Sequence, residues 1–210
     1  MVVALVGSAS ATLYSYSYTG PNVIIPDASP AGMVNQLTVS DIPAQINNVD
    51  ATINDVSVRL NISGGYNGDL YGYLVLQSAD TSTTTAILLD RIGPGTYGNN
   101  GSTINVTLNG TTGLVANGGL GDIGAVGATG NVTGTYTPDG NANALNAAFS
   151  GHNANGTWTL FLADLSGGDT SQLVSWGLDI SVVPEPITYA LMIFGAVVMT
   201  VAVRRRLAVS

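Results

Sequence analysis

Gly156 to Ile180 reads GTWTLFLADLSGGDTSQLVSWGLDI, and its alternation decides the fold class. Trp158, Leu160 and Leu162 share one face of an extended segment, because successive side chains of a strand point to opposite sides. Ser166 to Asp169 interrupts it with turn-forming residues. Leu173 to Val182 resumes as a second strand, with Trp176, Leu178 and Ile180 on one face. Each tryptophan can bury on the order of 200 Å², so the two together anchor much of a small core.

The same period runs upstream. Val56, Val58, Leu60 and Ile62 alternate with Ser57, Arg59 and Asn61, which marks Ile53 to Ile62 as a strand with one buried face. Gly64-Gly65 ends it, Tyr66 to Asp69 turns, and Leu70 to Gln77 returns, so the two predict a hairpin. Val23 to Ile25 ahead of Pro26-Asp27, Gln36 to Val39, Ala86 to Leu89 and Ile104 to Leu108 add short strands. Gly93 to Asn100 is a glycine-rich connection. Gly113 to Gly140 is mostly Gly, Ala, Asn and Thr and reads as a long surface loop, with one strand near Val132 to Tyr136. Many short strands, frequent turns and no amphipathic helix predict an all-β sandwich.

Composition narrows the function classes. The 210 residues carry a formal charge of −8, no cysteine and no lysine. About 170 residues between the two ends suit one domain with a real core. From Thr12 to Val183 two arginines, Arg59 and Arg91, stand against twelve aspartates, a charge of −10. Such a body repels nucleic acid and anionic lipid, which need clustered cations. Without cysteine there is no disulfide, thiol nucleophile or thiolate metal site.

The body resembles a known family over about Val23 to Ile180. IPDASPAG (Ile25 to Gly32), INDVSVRLNISGGYNGDLYGYLVLQS (Ile53 to Ser78), LLDRIG (Leu88 to Gly93) and FSGHNANGTWTLFLADLSGGDTSQLVSWGLDI (Phe149 to Ile180) are similar, in order, to the blocks of the P domain, or Homo B domain, of proprotein convertases. The most specific parts are Gly68-Asp69-Leu70 and the set Gly156, Trp158, Leu160, Asp164, Trp176 and Leu178. The resemblance implies a jelly-roll-like β-sandwich, a domain that in the family follows and stabilises a subtilisin-like protease. It also implies an alternative role, as an accessory domain of a separate subtilisin-like serine protease. Gly65 stands before Tyr66 where the family commonly has histidine, so contacts made by that histidine are not expected here.

Both ends carry targeting signals. Met1 to Ala11 is short and apolar and closes on Ala9-Ser10-Ala11, an A-x-A pattern. It reads as the remnant of a signal peptide cut before Thr12, or as the start of a first strand running into Leu13 to Tyr18. At the other end, residues 182–210 open on Pro184-Glu185-Pro186, continue through an uncharged run from Ile187 to Val203, and reach Arg204, Arg205 and Arg206. At about 1.5 Å per residue the run makes roughly 26 Å of helix, a minimal transmembrane helix. Flanking arginines are retained in the cytoplasm, which predicts that the body lies outside it. This tripartite tail resembles the PEP-CTERM sorting signal of Gram-negative bacteria. The resemblance implies recognition and removal by an exosortase-type transpeptidase, with delivery to the cell surface or an exopolysaccharide matrix.

Chemistry is sparse. A serine-protease triad needs a histidine to carry the proton, and His152 alone is present, in a turn-like stretch. The glycines of 113–140 are followed by no lysine and make no phosphate loop. Paired carboxylates could hydrolyse sugars, but aspartates at strand ends commonly bind turn amides. Asp27, Asp69, Asp164 and Asp169 are the candidate ligands for calcium, a cation that takes hard oxygen donors. The expectation is an exported, non-enzymatic surface or matrix module, structural or adhesive, meeting polysaccharide or surface proteins and no nucleic acid.

Overall fold

A computed structural model describes residues 10–46, 49–94, 96–109, 129–138 and 144–184. The larger of its two sheets has the order β1 (Thr12–Ser17), β11 (Ser171–Pro184), β5 (Val49–Gly64), β8 (Thr103–Asn109) and β9 (Val132–Tyr136). Two short strands, β2 (Val23–Ile25) and β4 (Gln45–Ile46), pair with β11 and β5. The smaller sheet runs β3 (Ser29–Val39), β10 (Gly156–Asp164), β6 (Leu70–Ser78) and β7 (Thr83–Asp90). All pairings are antiparallel except β8 with β9.

The alternation read from the sequence sets which face is buried. Val56, Val58, Leu60 and Ile62 from the larger sheet meet Trp158, Leu160 and Leu162 from the smaller in one apolar core. Both tryptophans lie in it, and each indole N–H finds an acceptor, as burial of a polar group requires. Trp158 Nε1 donates to the Ala154 carbonyl at 3.0 Å, and Trp176 Nε1 to Asn35 Oδ1 at 2.7 Å.

Three expectations are corrected. β5 and β6 form no hairpin: β5 pairs with β11 and β8, and β6 with β10 and β7. Between them the chain passes through a 3-10 turn at Asn67–Asp69 from one sheet to the other. Alternation identifies the buried face of a strand and says nothing about its neighbour. The strand expected at Gln36 to Val39 starts at Ser29 instead. Its Pro30 and Gly32 are tolerated because β3 is an edge strand whose register with β10 shifts between Leu162 and Asp164. A short helix, α1 (Ala144–Phe149), was not expected; it buries Leu145 and Phe149, four positions apart on one face. Phe149 packs on Trp158 with ring centroids 5.0 Å apart.

β1 begins at Thr12, the residue before which cleavage is expected. Residues 1–9 of the expected signal remnant and the whole expected span from 187 to 203 lie outside the described residues. Among the described residues no helix is long and apolar enough to cross a membrane.

Candidate functional site

Pro184 is the last residue of β11 and stands opposite Ala51 of β5. Thr12 stands opposite Val182, so the first strand starts and the last strand ends at the same end of the sandwich. The Pro-Glu-Pro motif therefore begins where the sheet stops. Glu185, Pro186 and the arginines Arg204, Arg205 and Arg206 lie outside the described residues.

The opposite end of β11 is acidic. Asp164 closes β10 and is 1% exposed; its Oδ1 accepts the Ser166 N–H at 3.3 Å. Burial, and after it the charges of Asp69 and Asp27, raises the Asp164 carboxyl above the usual range, while the Ser166 amide and the Ser171 hydroxyl pull it the other way. Asp27 Oδ2 accepts the Gly168 N–H at 3.2 Å. Arg91 holds Asp69, its Nη2 lying 3.5 Å from Oδ1, and also donates to the Gly68 carbonyl and to Ser166 Oγ. Three of the four expected calcium ligands thus share one electrostatic corner, and exposed Asp169 lies in the adjoining loop. Among the described residues, however, no three His, Asp or Glu side chains are grouped to hold a metal ion.

Asp164 has a pH signature. A carboxyl whose folded value exceeds its unfolded one costs stability at pH above the folded value and returns it as pH falls toward the unfolded value, about 3.9. Asp164→Asn keeps an acceptor for Ser166 and removes the buried charge. Its melting temperature is expected to exceed that of the parent protein near neutral pH, the gap closing below about pH 4. Thermal melts of both proteins across pH check this; a gap that widens on acidification would reverse the sign.

His152 follows α1, and its Nδ1 lies 3.3 Å from Ser82 Oγ. Asp80 Oδ1 accepts the Ser82 backbone N–H at 2.9 Å and so orients the serine rather than the imidazole. Hydrogen bonds from Ser82 hold the Asp80 carboxyl below its ordinary range. Among the described residues no carboxylate bonds the far ring nitrogen, the contact that sets the tautomer in a triad.

One feature was not singled out in the sequence. The outward face of the larger sheet carries a groove of about 460 Å³ whose polar lining includes Arg59, Asn61, Asn105, Thr107 and Thr135. Alternation marked Arg59 and Asn61 as polar positions; their neighbours come from strands far away in sequence.

A family model described as the PEP-CTERM protein-sorting motif matches residues 182–206. The match is confined to the tail, from the end of β11 through the arginine cluster. No curated protein matches the chain.

Proposed function

We propose that this chain is an exported, non-catalytic β-sandwich module that an exosortase-type system delivers to the cell surface or extracellular matrix, where it serves a structural or adhesive role. The match of residues 182–206 to the PEP-CTERM protein-sorting motif carries the reading. Such signals are processed by exosortase, so the chain bears the address of an exported, surface-sorted protein. The sandwich supports it in a second way. β11 leads directly from the core to Pro184, so the sorting motif begins where the sheet ends. A processing enzyme can reach a motif placed there without unfolding the body. At about 3.3 Å per residue, β11 sets the acidic corner roughly 43 Å from the exit of the tail.

The experiment is fractionation of a host with an active exosortase system, with mass spectrometry of the recovered protein. The parent chain is expected at the surface or in the medium, trimmed near Pro184 to Pro186 and lacking Arg204 to Arg206. Replacing Pro184, Glu185 and Pro186 together by alanine is expected to leave the untrimmed chain in the membrane fraction. Neutral residues at Arg204, Arg205 and Arg206 are expected to weaken the orientation, since retained cations set it. Recovery of the whole parent chain from the cytosol would overturn the reading.

A further inference from the structure

We propose that the groove on the outer face of the larger sheet binds a segment of a neutral polysaccharide. Two rows of outward residues cross the strands in register. Ser17, Gly177, Arg59, Thr107 and Thr135 form the first, one residue from each of β1, β11, β5, β8 and β9. Ser175, Asn61, Asn105 and Thr133 form the second, displaced by two positions along each strand. Adjacent strands lie about 4.8 Å apart, a step comparable with the length of one pyranose unit. All of these but Gly177 and Thr133 line the groove, so its floor presents amides and hydroxyls beside the Arg59 guanidinium at a comparable spacing.

These groups are open to a ligand. The side chains of Asn61, Asn105, Thr107 and Thr135 make no hydrogen bond to another described residue. Asparagine offers both donor and acceptor and threonine a hydroxyl that does either, which matches the mixed donor and acceptor character of sugar hydroxyls. The volume of about 460 Å³ lies within the range of about 300–1,000 Å³ usual for small-molecule sites.

Charge selects a neutral chain. The cation in the groove, Arg59, is closed by Asp179, whose Oδ2 lies 3.0 Å from its Nε. Its Nη2 donates to the Tyr16 carbonyl at 3.1 Å and to Ser17 Oγ at 3.3 Å. Gly177 makes this possible, because a Cβ there would sit 2.8 Å from Nη2 and 2.5 Å from the Tyr16 oxygen. The Arg59–Asp179 pair therefore adds no net charge to the groove, while the body as a whole repels polyanions. A protein partner fits less well, because interface cores favour aromatic and apolar anchors and these two rows present amides and hydroxyls.

The proposal deepens the adhesive role and depends on it only for access to polysaccharide. Its test is affinity electrophoresis of the full chain in mild detergent through native gels containing dextran, laminarin or galactomannan, with alginate as the polyanion. Retardation by at least one neutral glycan and none by alginate is expected. Asn61→Ala combined with Asn105→Ala is expected to weaken the apparent affinity about tenfold or more, with an unchanged melting curve. Val34→Ala, on the outer face of the smaller sheet, is expected to leave it intact. Passage unretarded by all three neutral glycans, retardation by alginate alone, or equal retardation of the double variant would overturn the proposal. Such a result leaves fractionation of the parent chain untouched, whereas cytosolic recovery defeats the sorting reading without altering a binding measurement in a gel.

Discussion

Trp158→Ala is expected to destabilise the body by about 3–5 kcal/mol. The indole is fully buried, and it lies in the central strand pair of the smaller sheet, opposite Leu37 of β3 on one side and Leu76 of β6 on the other. Truncation removes the transfer energy of the ring, leaves a cavity between the sheets, strips Phe149 of its aromatic neighbour and leaves the Ala154 carbonyl without its indole donor. For a domain of this size each kcal/mol is worth about 2–4 °C, so a fall in melting temperature of roughly 6–20 °C is expected. Circular dichroism melts measure it. Val34→Ala serves as the control: its side chain is 62% exposed, and a surface change away from special features stays within about 0.5 kcal/mol. Equal melting temperatures for the tryptophan variant and the parent would contradict the core described above.

Gly156→Ala is expected to cost roughly 2–5 kcal/mol, the sum of backbone strain and overpacking. Gly156 has φ +148, a region that side-chain-bearing residues rarely occupy. An added Cβ would fall against the Gln77 carbonyl oxygen and 2.8 Å from Ser78 Cα. Those atoms belong to the β6 backbone, which cannot move aside without breaking its pairing with β10. Urea denaturation monitored by tryptophan fluorescence reads the loss. A midpoint equal to that of the parent would show that β10 enters the sheet differently.

These two positions are two apart in the chain, yet only one of them announces its role. Trp158 sits in strict alternation with Leu160 and Leu162, and a buried face follows from that pattern alone. Gly156 is marked in the sequence only through a family resemblance, and its physical necessity comes from a neighbouring backbone nearly eighty residues upstream, as the approach of Gln77 shows. The same division separates the correct strands from the missed features. β8, β9 and β10 were legible because each has its own period or its own turn signals. α1 was not, since six residues of Ala, Leu, Asn and Phe are too few to establish a helical period.

The functional candidates divide similarly. The sorting tail is a linear signal, and its order of Pro-Glu-Pro, apolar run and arginines is read from the chain without any fold. The acidic corner required the fold: Asp27, Asp69 and Asp164 influence one another's ionisation only because β10 ends beside both the turn before β6 and the entry to β3. The groove required it even more. Arg59, Asn105, Thr135 and Ser175 come from four strands, and although alternation marks Arg59 as an outward position, nothing local says which residues stand beside it.

By itself, then, the chain determined the all-β class, the buried faces of its main strands, the two tryptophan anchors and the address carried by residues 182–206, because periodicity and ordered motifs are local properties. Tertiary structure decided which strands pair, that β5 and β6 belong to different sheets, and which polar side chains form the groove. The reason is physical: a strand's hydrogen-bonding edges are chemically alike from one strand to the next, so the choice of neighbour is settled only when both apolar faces close on one core.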